Sequence, residues 1–179
     1  MGVVMNRTHC LVTLMPGDFY FGDKAVRIRT LLGSCVAIVV WHPRTKLAGM
    51  CHYVLPRRGV LPERKPLFGA TLDGRYANEA IQLFAREMAR FGTRPAEYQV
   101  SLFGAANMFR NYAGSCADEG GRTPTLCDGC LSVACRNRIA AYRESGLLRM
   151  NVVEVDMGGC AHRIIELDAL SGKTSVRST

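Results

Sequence analysis

The chain has 179 residues, 48% of them hydrophobic and 21% charged, a balance that suits one globular domain with a buried core. No apolar run approaches the roughly 18 residues a membrane span needs, and Asn6, Arg7, Thr8 and His9 interrupt any secretory hydrophobic stretch near the start, so a cytoplasmic location is expected. The net charge of +8 comes from scattered arginines with only four lysines; without aromatic-and-basic repeats, zinc-finger spacing or a basic helix it reads as solvated surface, and nucleic acid is not expected as a partner.

Taken in order, Cys10 to Leu14 reads as a strand, Met15-Pro16-Gly17-Asp18 as a turn, and Lys24 to Thr30 as a second strand. Val36 to Trp41 is a continuous β-branched and aliphatic block, the pattern of a strand buried on both faces. His42-Pro43-Arg44-Thr45-Lys46 is turn chemistry, and Leu47 to Leu55 resumes an apolar pattern until Pro56 stops it. Asp73 is the expected N-cap of a helix from Gly74 to Phe91, with Ala77, Ala80, Ile81, Phe84, Met88 and Phe91 as its core stripe and Gly92 as its stop. Tyr98, Val100 and Leu102 alternate as a strand that runs into Gly104-Ala105-Ala106-Asn107, where Asn107 reads as a turn-former. Ser132 caps a second helix through Tyr142, ended by Gly146. Met150 to Met157, His162 to Leu167 and Lys173 to Val176 read as short closing strands, with His162 structural.

Chemistry concentrates where Gly33-Ser34-Cys35 enters the buried strand. If Pro43 and Arg44 form a two-residue hairpin loop, His42 faces Thr45 and Cys35 lies directly opposite His52. Directly opposed residues have Cβ atoms roughly 4.5–5.5 Å apart, close enough for a thiol and an imidazole to share a proton. A free thiol, with a pKa near ~8.5, is mostly protonated at neutral pH, and a neighbouring imidazole converts it into an acyl-accepting nucleophile. Gly33 and Ser34 permit a tight turn whose backbone N–H groups are candidate oxyanion donors. The alternative, an inert buried cysteine beside a core histidine, stays open at this point, because a one-residue slip would separate the pair.

The stretches Thr30-Leu31-Leu32-Gly33-Ser34-Cys35-Val36-Ala37 and Gly49-Met50-Cys51-His52-Tyr53-Val54-Leu55-Pro56 resemble the CheD family of chemoreceptor glutamine deamidases. The likeness continues through Leu102 to Phe109, Arg136-Asn137, Gly158-Gly159, Arg163 and Ser171-Gly172-Lys173. It implies a cofactor-free cysteine hydrolase that converts receptor glutamines to glutamate and ammonia. In that family a cysteine is the nucleophile and a histidine its base, which map onto Cys35 and His52. The family's threonine maps most naturally onto Thr30, although in some members it stands one residue further from the cysteine, where this chain has Arg29. The implied fold is a single α+β domain with mixed β-sheets in a layered sandwich flanked by helices. The implied partners are the cytoplasmic helices of methyl-accepting chemoreceptors and a CheC-like phosphatase. Two rival functions remain: another cysteine acyl-transfer hydrolase, and a non-enzymatic chemotaxis binder.

Two further features stand apart from this pattern. The loop after Pro56 carries Arg57, Arg58, Arg64 and Lys65 close behind His52; acidic receptor helices make it a candidate docking element, beside its reading as a solvated connector. Residues of about 114–131 form an insertion relative to the family, carrying Cys116, Cys127 and Cys130, with Cys135 shortly after it. Four cysteines invite tetrahedral zinc, but Cys116 stands alone and Cys135 falls at a helix start, so the spacing is poor. Reduced thiols on a surface loop, with no metal, are expected.

Overall fold

The computed structural model describes residues 10–23, 25–58, 71–108 and 132–179. The chain order is β1 (Cys10–Leu14), β2 (Phe19–Gly22), β3 (Val26–Leu32), β4 (Val36–Trp41), β5 (Ala48–Tyr53), α1 (Ala77–Arg90), β6 (Gln99–Gly104), α2 (Val133–Leu147), β7 (Asn151–Met157), β8 (Arg163–Asp168) and β9 (Thr174–Ser178). These make one α+β unit of two mixed sheets, a four-stranded sheet ordered β1-β3-β8-β9 and a five-stranded sheet ordered β2-β5-β4-β6-β7. The insertion at 114–131 lies outside the described residues, as do Arg64 and Lys65.

The unbroken apolar runs of β4 and β5 place them in the middle layer. Side chains alternate across a strand, so Ala37, Val39, Ala48 and Met50 point one way and meet Leu14, Val26, Ile28, Leu32, Ile165 and Leu167 of the four-stranded sheet. Val36, Ile38, Val40, Cys51 and Tyr53 point the other way and meet Ala77, Ala80, Ile81, Phe84 and Met88 of α1, with Ala140 and Ala141 of α2. The five-stranded sheet is thus sandwiched between the other sheet and the helices. By contrast β3 alternates buried and solvent-facing residues, as a sheet covered on one side should.

The expected apolar stripe of α1 is buried except for Phe91, which is 45% exposed at the helix end. Gly92 takes a left-handed φ of 66° and donates its N–H to Ala89 O at 3.0 Å, closing the helix. Asp73 is not the cap: Tyr76 holds that position without a side-chain bond, and Asp73 instead accepts from Arg75 N in a local turn. Ser132 does cap α2, accepting from Cys135 N, and the helix runs past Gly146 to Leu147.

The β4–β5 hairpin corrects the expected register. Ala37, not Cys35, pairs with His52, and Val36 pairs with Tyr53. The loop holds four residues, because the His42 imidazole caps it: Nδ1 accepts from Arg44 N at 3.2 Å and from Thr45 N at 3.4 Å. Lys46 turns the chain with φ 61°, and His42 N donates to Leu47 O across the base. Two extra loop residues move Cys35 one place beyond the end of the ladder. Since the shift is even, Cys35 stays on the same face as His52 and packs against the inter-sheet core.

Phe84 anchors the helix layer. Fully buried, its ring lies 4.8 Å from that of Phe19. Phe84→Ala should destabilise the protein by about 3–5 kcal/mol, read as a shifted midpoint in urea unfolding. A loss below about 1 kcal/mol would mean the ring is not packed as described.

Candidate active site

Thr30 lies in the inward row of β3, between Ile28 and Leu32, and His52 ends that of β5, so packing the two sheets brings them together. Thr30 Oγ1 and His52 Nδ1 are 2.8 Å apart and both residues are buried. The threonine hydroxyl donates its single proton to Leu14 O at 2.9 Å, which leaves only a lone pair for the imidazole. His52 Nδ1 must therefore carry the hydrogen, and Nε2 must hold the basic lone pair. Nε2 is buried and has no hydrogen-bond partner among the described residues. The backbone of His52 is fixed as well, donating to Asp18 O at 3.0 Å and accepting from Gly17 N at 2.8 Å.

Burial pushes the His52 pKa down to about 4, opposed by the charge of Asp18 and the carbonyl of Leu14. Burial likewise pushes the Cys35 thiol up from its ordinary value. At neutral pH the resting groups are a neutral imidazole and a protonated thiol. Cys35 is partly exposed, whereas Cys51, adjacent to His52 in sequence, is fully buried on the opposite face and held near 12 by burial. Of these two thiols, Cys35 alone combines partial exposure with the face of His52. It sits diagonally from the imidazole, a separation of roughly 7–8 Å between backbone positions for strand neighbours, and no hydrogen bond joins them in the resting state. Such bonds often tighten only with substrate present.

The turn Gly33-Ser34-Cys35 is pinned by its three carbonyls. Ala106 N donates to Gly33 O at 2.9 Å and Ala105 N to Cys35 O at 2.7 Å, while Asn137 Nδ2 donates to Ser34 O at 3.0 Å. Because a peptide unit is planar and trans, each fixed carbonyl turns the following N–H the opposite way. The N–H groups of Ser34 and Cys35 have no backbone acceptor among the described residues. This close packing requires Gly104: its φ is 110°, and a Cβ there would collide with Cys35 O. Ala105 follows in the left-handed region with φ 52°, a position usually left to glycine or asparagine.

Arg57 and Arg58, the described cations of the basic loop, are both paired. Arg58 forms a two-pronged bond with Glu79 of α1, at 2.6 and 2.9 Å, and also donates to Thr71 O. Arg57 reaches Glu144 of α2 at 3.5 Å. Both arginines tie the chain leaving β5 to the two helices, and each keeps about half of its side chain exposed. His162, read from sequence as structural, approaches the turn: a Cβ on Gly33 would lie 3.4 Å from His162 Nδ1 and 3.5 Å from Met108 Sδ. Among the described residues no group of three or more His, Cys, Asp or Glu is placed to hold a metal.

Comparison with known proteins gives the family of the chain. The family described as CheD, chemotactic sensory transduction, matches residues 60–178. A Dechloromonas aromatica protein named probable chemoreceptor glutamine deamidase CheD 3 is 42% identical over 161 residues, covering 90% of this chain and 83% of its own. The chain belongs to the CheD family. A Pseudomonas fluorescens relative named probable chemoreceptor glutamine deamidase CheD is 40% identical over 166 residues, with 93% and 83% covered. A Chromobacterium violaceum relative of the same description, CheD 1, is 36% identical over 168 residues, with 94% and 77% covered. Among solved structures, a Bacillus licheniformis protein titled hypothetical protein YfiH shows a TM-score of 0.42 at 15% identity, over 80% of this chain and 51% of that one, too distant to bear on the site.

Other residues that carry the CheD likeness support the turn from beneath. Gly158 N donates to Gly104 O, and Asn107 N donates to Gly159 O. Arg163, nearly buried, holds that glycine pair by donating to Gly158 O and Asp156 Oδ1, both at 2.8 Å. No described helix is long and apolar enough to cross a membrane.

The buried neutral imidazole has a consequence for stability. The unfolded chain protonates a histidine near 6.5, whereas the folded protein keeps His52 neutral to about 4. Between those values the unfolded state binds more protons, so stability falls as pH drops from 6.5 towards 4. His52→Gln should flatten that slope, measured as urea midpoints at pH 7, 5.5 and 4. An unchanged slope would contradict a neutral His52.

Proposed function

We propose that the protein is a cytoplasmic glutamine deamidase that hydrolyses side-chain amides of chemoreceptor helices to glutamate and ammonia. The observation that carries this reading is the Thr30–His52 hydrogen bond, which leaves an unpartnered Nε2 as base on the face that Cys35 occupies. The names of the CheD relatives supply the substrate class.

The reaction follows from the protonation states. As the Cys35 sulfur attacks the amide carbon, its proton passes to His52 Nε2 and a sulfur–carbon bond forms. The resulting oxyanion is met by the N–H groups of Ser34 and Cys35, in the turn that begins at Gly33. The imidazolium then gives its proton to the amide nitrogen, the carbon–nitrogen bond breaks and ammonia leaves a glutamyl thioester. Neutral His52 next takes a proton from water, the hydroxide oxygen adds to the thioester, and the carbon–sulfur bond breaks. Glutamate and the protonated thiol result. Thr30 serves throughout by holding Nδ1–H and hence the tautomer. No cofactor enters.

For docking, we assign the attraction of acidic receptor helices to Arg57, Arg58, Arg64 and Lys65, with Arg57 and Arg58 half-exposed beside their partners Glu144 and Glu79. A CheC-like protein as a second partner remains part of this proposal through family membership alone.

Incubating the protein with a receptor cytoplasmic fragment and following glutamine-to-glutamate conversion by mass spectrometry tests the reading. Cys35→Ala should abolish conversion and His52→Ala nearly so. Thr30→Val should lose on the order of 10- to 100-fold, since acid–base work worth about 10²–10⁴-fold is impaired but not removed. Ammonia should appear without new peptide termini or cross-links; conversion persisting in Cys35→Ala would sink the mechanism.

The pH profile is a second check. With His52 near 4 and the thiol raised, kcat/KM should hold level through neutral pH and fall on the acid side only near the His52 value. An acid limb at an ordinary histidine pKa near 6.5 would mean that His52 is not held as described.

A further inference from the structure

Asn137 lies on α2, an element separate from the turn that carries Cys35 and the strand that carries His52, and it is completely buried. Its Nδ2 donates to Ser34 O at 3.0 Å and to Val54 O at 2.8 Å. Two carbonyl acceptors require two N–H donors, which fixes the amide orientation. Asn137 Oδ1 is buried without a partner among the described residues, so the side chain is held by its donor end alone. Its backbone is held too: the Tyr53 hydroxyl donates to Asn137 O at 2.6 Å. Burial raises the Tyr53 pKa far above the ordinary phenol value, so this donor keeps its proton.

One side chain thus joins the turn before Cys35 to the residue two places after His52. Ser34 O and Cys35 N–H belong to the same planar peptide unit. Gripping the oxygen from the helix side aims the N–H at the opposite side. We propose that Asn137 is a positioning residue that orients the Ser34–Cys35 peptide so that Cys35 N–H meets the oxyanion formed on Cys35, a role that rests on the reading of Cys35 as an acyl-accepting nucleophile. Leaving the Ser34 carbonyl without its buried donor would let the peptide rotate towards other donors, and the N–H with it.

The test compares two reactions of the same thiol, neither needing a glutamine substrate. With p-nitrophenyl acetate, the Cys35 sulfur adds to the carbonyl carbon, an oxyanion forms, and p-nitrophenolate leaves as the carbon–oxygen bond breaks. With iodoacetamide, sulfur displaces iodide at a saturated carbon and no oxyanion forms. Both rates scale with the thiolate fraction, so their ratio cancels any change in the Cys35 pKa. Rates are corrected with Cys35→Ala, because Cys10 and Cys160 are exposed thiols.

Asn137→Leu keeps the side chain's shape and removes both donors. Its acylation should slow about 10- to 100-fold, somewhat less than the 10²–10³-fold for deleting an oxyanion donor outright, while alkylation stays within about twofold. Asn137→Ala, where water can enter, should lose less in the same selective way. Near-ultraviolet circular dichroism confirms that each variant folds. An unchanged acylation-to-alkylation ratio in a folded variant overturns the proposal, as does failure of both variants to fold, which would make the clamp a requirement of the fold alone. A parent protein that acylates at Cys35 but deamidates no receptor would instead discard the deamidase reading and leave the role of Asn137 standing.

Discussion

The site depends on one hydrogen bond made between two sheets. Thr30 Oγ1 belongs to the four-stranded sheet and His52 Nδ1 to the five-stranded one, so their contact exists only while the inter-sheet core is packed. The hydroxyl proton is already committed to Leu14 O. Consequently the imidazole is oriented, its tautomer is set and its basic nitrogen is kept dry, all by a residue with no ionisable group. Loosening the sheets would release the tautomer before it unfolded either strand.

The nucleophile is positioned by a different means. Cys35 sits past the end of the β4–β5 ladder, in a turn whose three carbonyls are taken by Ala106, Asn137 and Ala105. Those donors come from the chain after β6 and from α2, so a helix and a loop distant in sequence fix where the thiol and its neighbouring N–H groups face. Gly104 permits the approach, and Arg163 braces the Gly158 turn behind it. The working surface is therefore made by polar groups used up on one side so that others are left free on the opposite side.

Much of this was legible in the sequence, and what was not has identifiable causes. The continuous apolar blocks of β4 and β5 announced a doubly buried layer, and the stripe of α1 announced its packed face. The Thr30, Cys35 and His52 positions stood out through their motif. The hairpin register was misjudged by two residues because the turn is closed by the His42 side chain, a contact that turn propensities do not encode. Strand β2 was missed: four residues ending in glycine give too short a pattern to read. Asn137 was visible only as part of a family likeness, since a helix that buries alanines, an asparagine and a glutamate carries little hydrophobic periodicity. Arg58 looked like free charge because its partner Glu79 lies 21 positions away, beyond the reach of local pattern.

The proposed chemistry turns on His52 resting neutral with its hydrogen on Nδ1 and its lone pair on Nε2. Long-range proton–nitrogen correlation spectra of the protein labelled with nitrogen-15 histidine read this directly. At neutral pH the His52 signals should show a protonated Nδ1 and an unprotonated Nε2, persisting on acidification towards about pH 4. Cross-peaks of the opposite tautomer, or of an imidazolium at neutral pH, would contradict the account.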